Sequence, residues 1–503
     1  MRMTQSTLII RLLLFIGIFI MLNVLAYKYF FRLDFTGDKR YTLSQSTKDI
    51  LTGLDDPITI SAYFTEELPD SLGPLKEDFR DLLYEYQTNS DGQVVFEFIN
   101  PNEDEAKEQE VQQLGIAPLI LQTRENDKAS QLRAYLGAII KKGAQQEIIP
   151  VVQPGASMEY ELTKSIKRLT VSDKPKVGFI RGHGEPDIRS LGPVLQELST
   201  LYELDTLDLN VPNAWTEFKT LVLLAPADSL PLFHLEQLDQ FLASGGRLLA
   251  GVNAVEGDLN QGRLITQTTG VESWLNDKGF VITPVFVTDV SSGQVQARQQ
   301  TSFGVMTVPM DFYYFPTLIN FPEHPITQGI ESVTLVFASP VEVNPKDSSV
   351  TGGILATTSE RSGKISPPSF LDLQKQWTEA DFPERDIPVA AYMEGKIQGE
   401  AESKIVVIGD GDFAVGQGSQ AEDNLSFIVN AVDWLTDDTG LIELRTKGIN
   451  SRPIEKQLTD GERATMKYLL FFLPILIIIG FGVVRMQIRK SQRVKWMQED
   501  YSA

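Results

Sequence analysis

The sequence contains no cysteine among its 503 residues. This absence excludes disulfides, thiolate metal sites, iron–sulfur clusters and cysteine nucleophiles. It does not identify a compartment, although it suits an extracytoplasmic domain that folds without disulfides.

Several nucleotide-binding and hydrolase signatures are also missing. No G-x-x-x-x-G-K-[ST] occurs, so this chain is not itself a P-loop ATPase. No G-x-S-x-G nucleophile elbow is present, and no G-x-G-x-x-G follows a predicted strand. The sequence therefore identifies no catalytic residue and no cofactor site, and it favours a non-enzymatic protein.

The acidic charge is confined to the middle of the chain. The whole chain carries −22, residues 1–34 carry +3 and residues 463–503 carry +5, so residues 35–462 carry −30. A segment with this negative net charge is not expected to bind nucleic acid or an anionic lipid surface.

An uncharged apolar run stands near the end of the chain, from Tyr468 to Val484. At about 1.5 Å per helical residue, it nearly crosses a hydrocarbon core of about 30 Å. Lys467 precedes it, and Arg485, Arg489, Lys490, Arg493 and Lys495 follow it. Because basic residues collect on the cytoplasmic side, we predict a membrane span over residues 467–485 and a cytoplasmic tail over 486–503.

A second apolar run, Leu12 to Tyr27, predicts a membrane anchor within residues 1–34. A signal peptide cleaved after Ala26 is the alternative, but aromatic residues typical of a membrane interface continue to Phe31. Because a chain with two spans has both termini on one side, a cytoplasmic C-terminal tail predicts a cytoplasmic N-terminus. Residues 35–462 are then predicted to be periplasmic or extracytoplasmic. The basic residues just after the first span point the other way, but the C-terminal basic cluster is stronger. The predicted location is a bacterial inner membrane, with 441–466 as a linker.

We predict a compact α/β domain over residues 35–172. Its predicted order, β-α-β-α-β-β-α, resembles a thioredoxin-like fold, with Pro118 before the third strand. Because there is no C-x-x-C, redox chemistry is excluded and a structural or docking role is expected.

The segment 173–440 alternates apolar strands with helices. Runs such as KVGFI, TLVLLA, RLLAGV and KIVVIG predict strands buried on both faces of a parallel, doubly wound sheet of flavodoxin- or amidotransferase-like type. One continuous strand is predicted over Phe280–Val287. Residues 290–385 are predicted to form an irregular, β-rich insertion.

Two polar turns follow apolar strands of this sheet, where ligands bind in open α/β folds. The candidate ligand-edge residues are His183, Glu185 and Asp187 in one turn and Asp410 and Asp412 in the other. A metal or hydrolytic site is one interpretation. The favoured interpretation is that Gly and Asp simply build tight turns. His234 and His324 are distant in sequence and are interpreted as structural.

Small residues are the expected contact points between membrane helices, which associate by close packing. Gly480 and Gly482 are the only glycines of the C-terminal run. We predict that they face a partner permease.

The whole chain resembles the GldG family of auxiliary components of gliding-motility-type ABC transporters. The resemblance rests on RLDFTGDKRYTLSQSTKDIL, DDPITISAYF, GFIRGHGEPD, KIVVIGDGDFA and the C-terminal span with its basic tail. It implies a multi-span permease and a separate cytoplasmic ATPase as partners, a possible envelope partner or substrate for the ectodomain, and no catalytic residue. The alternative is an extracytoplasmic hydrolase or metal-dependent enzyme that uses the His183/Glu185 and Asp410/Asp412 turns.

Overall fold

The computed structural model describes the acidic middle of the chain and its C-terminal helix. The described residues are 42–437, apart from gaps at 67, 70–71, 126–127, 154–156, 171–173, 260, 302–303, 373–374 and 416–420, together with 460–499 and a few residues between 14 and 21. The predicted first span, Leu12 to Tyr27, therefore lies largely outside the described residues. The chain divides into two units, Met1–Ile449 and Asn450–Ala503.

The described residues between 42 and 170 form four α-helices and six strands. The helices are α1 (Gln45–Thr52), α2 (Gly73–Asn89), α3 (Glu105–Gln113) and α4 (Ser157–Thr170), and the strands are β1 (Ile58–Phe64), β2 (Val94–Ile99), β3 (Leu119–Glu125), β4 (Lys128–Ala134), β5 (Leu136–Lys142) and β6 (Gln145–Ile149). Four of the strands form a sheet in the order β2-β1-β5-β6. β2 runs parallel to β1, whereas β5 runs antiparallel to it.

A hairpin that the sequence did not predict precedes the third strand of this sheet. β3 and β4 pair with each other along their full lengths, and β5 begins two residues after β4 ends. Pro118 therefore precedes the hairpin and not the strand that enters the sheet. The sequence of β4, KASQLRA, carries little of the apolar alternation from which a strand is predicted.

The second part of the first unit is built on a seven-stranded sheet. Its strands and those around it are β7 (Lys176–Arg181), β8 (Glu203–Asp208), β9 (Thr220–Leu224), β10 (Arg247–Gly251), β11 (Val255–Asp258), β12 (Arg263–Thr266), β13 (Phe280–Ile282), β14 (Phe286–Asp289), β15 (Ser292–Thr301), β16 (Gly304–Leu318), β17 (Val333–Thr334), β18 (Val341–Val343), β19 (Val350–Thr357), β20 (Ser362–Ile365), β21 (Ser369–Phe370), β22 (Pro388–Gly395) and β23 (Ser403–Ile408). The helices are α5 (Gly192–Leu198), α6 (Leu232–Ala243), α7 (Val271–Lys278) and α8 (Glu422–Thr436). The order in the sheet is β19-β22-β23-β10-β9-β7-β8. The last five strands are mutually parallel. At the other edge, β22 runs antiparallel to β23, and β19 runs antiparallel to β22.

Helices cover both faces of this sheet, as the apolar strand runs predict. In β9, Leu221 and Leu223 pack on one face in the same cluster as Leu238 of α6. Val222 packs on the opposite face in the cluster that contains Phe427 of α8. Because side chains alternate along a strand, a strand covered on both faces is apolar at every position.

The prediction of one strand over Phe280–Val287 is wrong. β13 ends at Ile282 and pairs with β18, whereas β14 begins at Phe286 and pairs with β20. Pro284 stands between them. Proline has no backbone N–H to donate to a sheet, so the chain leaves one sheet and enters another at this point. The following segment contains a long hairpin of β15 and β16.

The second unit contains α9 (Asp460–Glu499), a helix of 40 residues with Pro474 inside it. Among the described residues it is the one helix long and apolar enough to cross a membrane, over Thr465–Val494, and its most apolar 18-residue window has a mean hydropathy of 2.5. None of its apolar window is buried. The core helix of a soluble domain would bury such a surface.

Candidate functional site

The turn after β7 directs the His183 side chain into the protein. Gly182 and Gly184 have φ angles of 115° and 80°, a region that side chains other than glycine rarely adopt. A Cβ on Gly184 would also lie 2.9 Å from the Cβ of Ala227. The carbonyl of His183 accepts hydrogen bonds from the backbone N–H groups of Ala227 and Asp228. His183 is only 2% exposed as a result of this close fit.

His183 lies at the centre of a buried chain of polar groups. Its Nδ1 is 2.9 Å from Oε1 of Glu185, and its Nε2 is 2.7 Å from Nδ1 of His234. The backbone N–H of His183 donates to Oε2 of the same Glu185 carboxylate. A neutral imidazole has one donor and one acceptor nitrogen. When Nδ1 of His183 donates to Glu185, Nε2 of His183 accepts from Nδ1 of His234. Two neutral rings therefore satisfy both hydrogen bonds.

Burial and hydrogen bonding set the protonation of this chain. Burial acts to raise the pKa of Glu185, but the hydrogen bonds from the His183 ring and backbone N–H outweigh it and lower the pKa overall. Burial lowers the pKa of His234, and the His183 ring lowers it further, while the carboxylate of Asp208 acts in the opposite direction. The lowered pKa values favour an ionised Glu185 and a neutral His234.

The fold brings His234 to the His183 turn, a contact that the sequence did not predict. His234 lies in the first turn of α6, 51 residues after His183, and the fold brings the two rings into contact. A parallel sheet places the loops after β7 and β9 side by side, and α6 starts from the second of these. Sequence spacing alone carries no signal for this pair. His324 instead packs against the rings of Tyr392 and Trp434.

Asp187 takes no part in the buried chain. It is exposed, and its side chain accepts a hydrogen bond from the backbone N–H of Arg189 at the start of a short 3-10 turn. It therefore serves as a helix cap.

The second polar turn, after β23, is also engaged inside the protein. Asp410 is fully buried and accepts hydrogen bonds from the backbone N–H groups of Val336 and Asp412. Asn253, after β10, donates from its side chain to Asp412 at 2.7 Å and accepts from the backbone of Gly411 at 2.7 Å. These contacts join the loops after β10 and β23 to the segment that enters β18.

Both carboxyl groups of this turn resist ionisation. Burial, with the carboxylate of Asp412 nearby, raises the pKa of Asp410 well above its usual range. Burial also raises the pKa of Asp412, although the hydrogen bond from Asn253 opposes the shift. A negative charge on Asp412 therefore opposes ionisation of Asp410.

The two turns lie at the same edge of the sheet but do not form one cluster. β10 and β9 separate β23 from β7. At about 4.8 Å per strand, the turns are about 14 Å apart. The cavity between Glu185 and Val415 measures about 20 Å³, room for about one water molecule. Among the described residues, no group of three His, Asp or Glu side chains could hold a metal ion. A ligand role for this edge remains a prediction.

A larger concave surface, which the sequence did not predict, lies in the β-rich segment. This cleft of about 270 Å³ is lined by Met310, Asp311, Phe312, Tyr313, Tyr314, Asp372, Lys375 and Trp377. Burial, together with the nearby carboxylates of Asp372 and Asp381, raises the pKa of Tyr314 to about 12, so its phenol stays neutral. Lys375 lies over the Trp377 ring at 3.9 Å and pairs with Asp381 at 2.8 Å.

Comparisons with known proteins point to transport. A family model described as an ABC-type uncharacterized transport system matches residues 174–431. A second, described as a domain of unknown function, matches residues 37–141. An uncharacterized protein of Borreliella burgdorferi is 20% identical over 483 residues, which cover 90% of this chain and 93% of the relative.

Solved structures share parts of the fold at low similarity. The mmIFT52 N-terminal domain is 16% identical with a TM-score of 0.37, over 52% of this chain and 97% of that domain. A putative ThuA-like protein from Parabacteroides merdae is 11% identical with a TM-score of 0.31, over 52% of this chain and 91% of that protein. At these scores the likenesses carry no functional argument.

Proposed function

Because the chain belongs to the family described as an ABC-type uncharacterized transport system, we propose that it is a membrane-anchored, non-enzymatic subunit of an ABC transporter. The resemblance to the GldG family supports a gliding-motility or secretion type of complex. The observation that carries the proposal is the family match over residues 174–431 in a chain that ends in an exposed apolar helix.

Anchoring is supported by α9. Its apolar window is unburied, and exposed apolar surface of this length requires lipid or another membrane helix. Arg485, Arg489, Lys490 and Arg493 follow the uncharged run, which favours a cytoplasmic C-terminus. With the predicted first span, both termini are cytoplasmic and the acidic segment 35–462 lies outside the bacterial inner membrane.

The two polar turns support a structural role and not hydrolysis. Both ring nitrogens of His183 are occupied, one by Glu185 and one by His234. His234 itself is 5% exposed, so a substrate reaches neither ring without rearrangement. A general base must lie within hydrogen-bond reach of the group it deprotonates. The aromatic cleft offers more concave surface for a substrate or envelope partner than either turn.

The segment 35–172 serves as a thioredoxin-like docking domain in this proposal. The strand order β2-β1-β5-β6, with β2 parallel and β5 antiparallel to β1, supports the fold once the β3–β4 hairpin is treated as an insertion. Helix α4 also connects this domain with the second sheet, since Lys167 pairs with Asp437 at 2.8 Å.

Purification of the tagged full-length protein from membranes tests the proposal. The expected companions are a multi-span permease and a separate subunit with a G-x-x-x-x-G-K-[ST] motif. Recovery of neither subunit, under conditions that keep other ABC transporters intact, contradicts the assignment. A hydrolytic activity that the variant His183→Ala abolishes, while its fold is retained, would establish the enzymatic alternative.

A further inference from the structure

The aromatic cleft already holds one cation, the ammonium group of its own Lys375. Nζ of Lys375 lies 3.9 Å from the centroid of the Trp377 ring and 2.8 Å from Oδ1 of Asp381. A cation over an aromatic face is attracted by the quadrupole of the ring, and tryptophan attracts it most strongly. The position of Nζ therefore marks a point at which the protein binds an ammonium group.

Neighbouring rings hold Trp377 in place. Phe382 stacks on Trp377 with ring centroids 5.4 Å apart. Tyr313 and Tyr314 pack against the same ring at 5.0 and 5.6 Å. These contacts fix the orientation of the indole independently of Lys375, so its face is preorganised for a cation.

Asp381 is also held independently of Lys375. Its Oδ2 accepts hydrogen bonds from the backbone N–H and the hydroxyl of Thr378, at 2.8 and 2.9 Å. Hydrogen bonds from Lys375 and Thr378 lower the pKa of Asp381 to about 2, so its carboxylate is ionised at neutral pH. When Lys375 turns away, Oδ1 of a fixed carboxylate faces the point that the ammonium group has left.

The charges around the cleft select the ligand. Lys375 is the one cation among the described residues that line the cleft, and Asp311 and Asp372 line it as well. The Lys375 side chain is 35% exposed, so it has solvent to turn into. An anionic ligand would meet these carboxylates, and a neutral ligand that displaced Lys375 would leave Asp381 without a cation.

From these contacts we infer that the aromatic cleft binds a small alkylamine in its protonated form, which takes the place of the Lys375 ammonium group. A primary ammonium can lie over Trp377 and donate to Asp381 at the same time, as Nζ of Lys375 does. The cleft measures about 270 Å³, close to the lower limit of about 300 Å³ for small-molecule sites. Met310 and Phe312 offer apolar surface to a short aliphatic chain. This site requires neither the permease nor the ATPase of the proposed function, so each can fail without the other.

Binding of n-butylammonium to the full-length protein in a non-ionic detergent at pH 7 tests the site, with the affinity measured by ligand-observed NMR. Lys375→Ala removes the tethered competitor and should tighten binding at least about five-fold. Trp377→Leu keeps apolar bulk but removes the ring, and should weaken binding at least about five-fold. The matched control Lys396→Ala removes the same charge from an exposed ion pair with Glu400. It should leave the affinity near that of the wild type.

Two further probes separate charge from shape. The neutral alcohol 1-butanol should bind at least about five-fold more weakly than n-butylammonium. Tetramethylammonium has no N–H to donate to Asp381 and should bind with an affinity between the two. Equal binding of 1-butanol and n-butylammonium overturns the inference.

The variant Lys375→Ala keeps the inference falsifiable if Trp377→Leu does not fold, because it changes a partly exposed side chain. No gain of affinity for n-butylammonium in Lys375→Ala overturns the inference. Tighter binding of Nα-acetyl-lysine methylamide than of n-butylammonium would identify a lysine side chain of a partner protein as the occupant, and would also overturn it.

Discussion

His183 connects the loop after β7 with the loop after β9 at the carboxyl edge of the large sheet. Its backbone carbonyl accepts from Ala227 and Asp228, and its ring joins Glu185 to His234. An imidazole fits because its two nitrogens can donate to a carboxylate on one side and accept from a second ring on the other. In our proposal, a motif with the composition of a catalytic site serves to hold loops together.

We expect His183→Ala to destabilise the first unit by about 2–4 kcal/mol. The substitution leaves a cavity and removes the ring donor of a buried carboxylate, and losses of this kind have such costs. Asp187→Ala is the matched control in the same turn and should cost about 0.5–1 kcal/mol, because it removes only an exposed cap. Urea unfolding measures both. Equal costs for the two variants would mean that the buried chain contributes nothing beyond the turn.

A second residue-scale prediction concerns the buried carboxyl pair. Burial raises the pKa of both Asp410 and Asp412. Their contribution to stability is therefore fully present below the ordinary carboxyl pKa and is lost as pH rises through the raised values. Asp412→Asn removes one buried charge and keeps an oxygen that can accept from Asn253.

The free energy of unfolding of Asp412→Asn should therefore exceed that of the wild type by about 1–2 kcal/mol at pH 8, which is the scale of a desolvation penalty. At pH 4 the two should be equal. Unfolding by urea across this pH range gives the difference. Asp205→Asn, at an exposed position of β8, should shift stability little at either pH. A loss of stability in Asp412→Asn at pH 8 would contradict the assignment of Asp410 and Asp412 as buried carboxyl groups with raised pKa values.

At the scale of elements, α9 changes the prediction for its two glycines. Residues two apart in a helix point about 200° apart, so Gly480 and Gly482 cannot form one small-residue face as the sequence reading assumed. Gly482 lies within about 60° of Arg485 around the axis, whereas Gly480 lies on the other side. Gly482 and Arg485 therefore share a face.

If that face contacts the transporter, Gly482→Leu should lower recovery of the permease and Gly480→Leu should not. A leucine at a close helix contact prevents the backbones from approaching. The two variants add the same side chain to the same helix, so each controls for the other. Co-purification from membranes measures the effect. Equal recovery in both would place the permease contact elsewhere.

The sequence predicts best the elements whose environment is simple. The strands β7, β9, β10 and β23 are buried on both faces, and their apolar runs made them recognisable. The polar hairpin β3–β4 was missed because β4 lacks apolar alternation. The break at Pro284 was missed because the partner strands β18 and β20 are distant in sequence. The pairing of His183 with His234 was missed for the same reason. It depends on two loops that meet only when the parallel sheet has formed.

The whole molecule is strongly asymmetric in charge. Residues 35–462 carry −30 and residues 463–503 carry +5. The acidic part forms the sheets. The basic part includes most of helix α9, whose apolar window is unburied. A membrane between these parts would leave the basic end in the cytoplasm and the acidic folded part outside.

The most direct test of this account is the topology of single cysteines in the full-length chain. Because the chain has no cysteine, Ser348→Cys in an exposed loop and Ser491→Cys in the part of α9 beyond its apolar run each introduce one reactive thiol. A membrane-impermeant maleimide is applied to intact and to permeabilised spheroplasts. We expect Ser348→Cys to be labelled in both and Ser491→Cys only after permeabilisation. Labelling of both in intact spheroplasts, or of neither, would contradict a membrane-anchored subunit with its acidic domains outside.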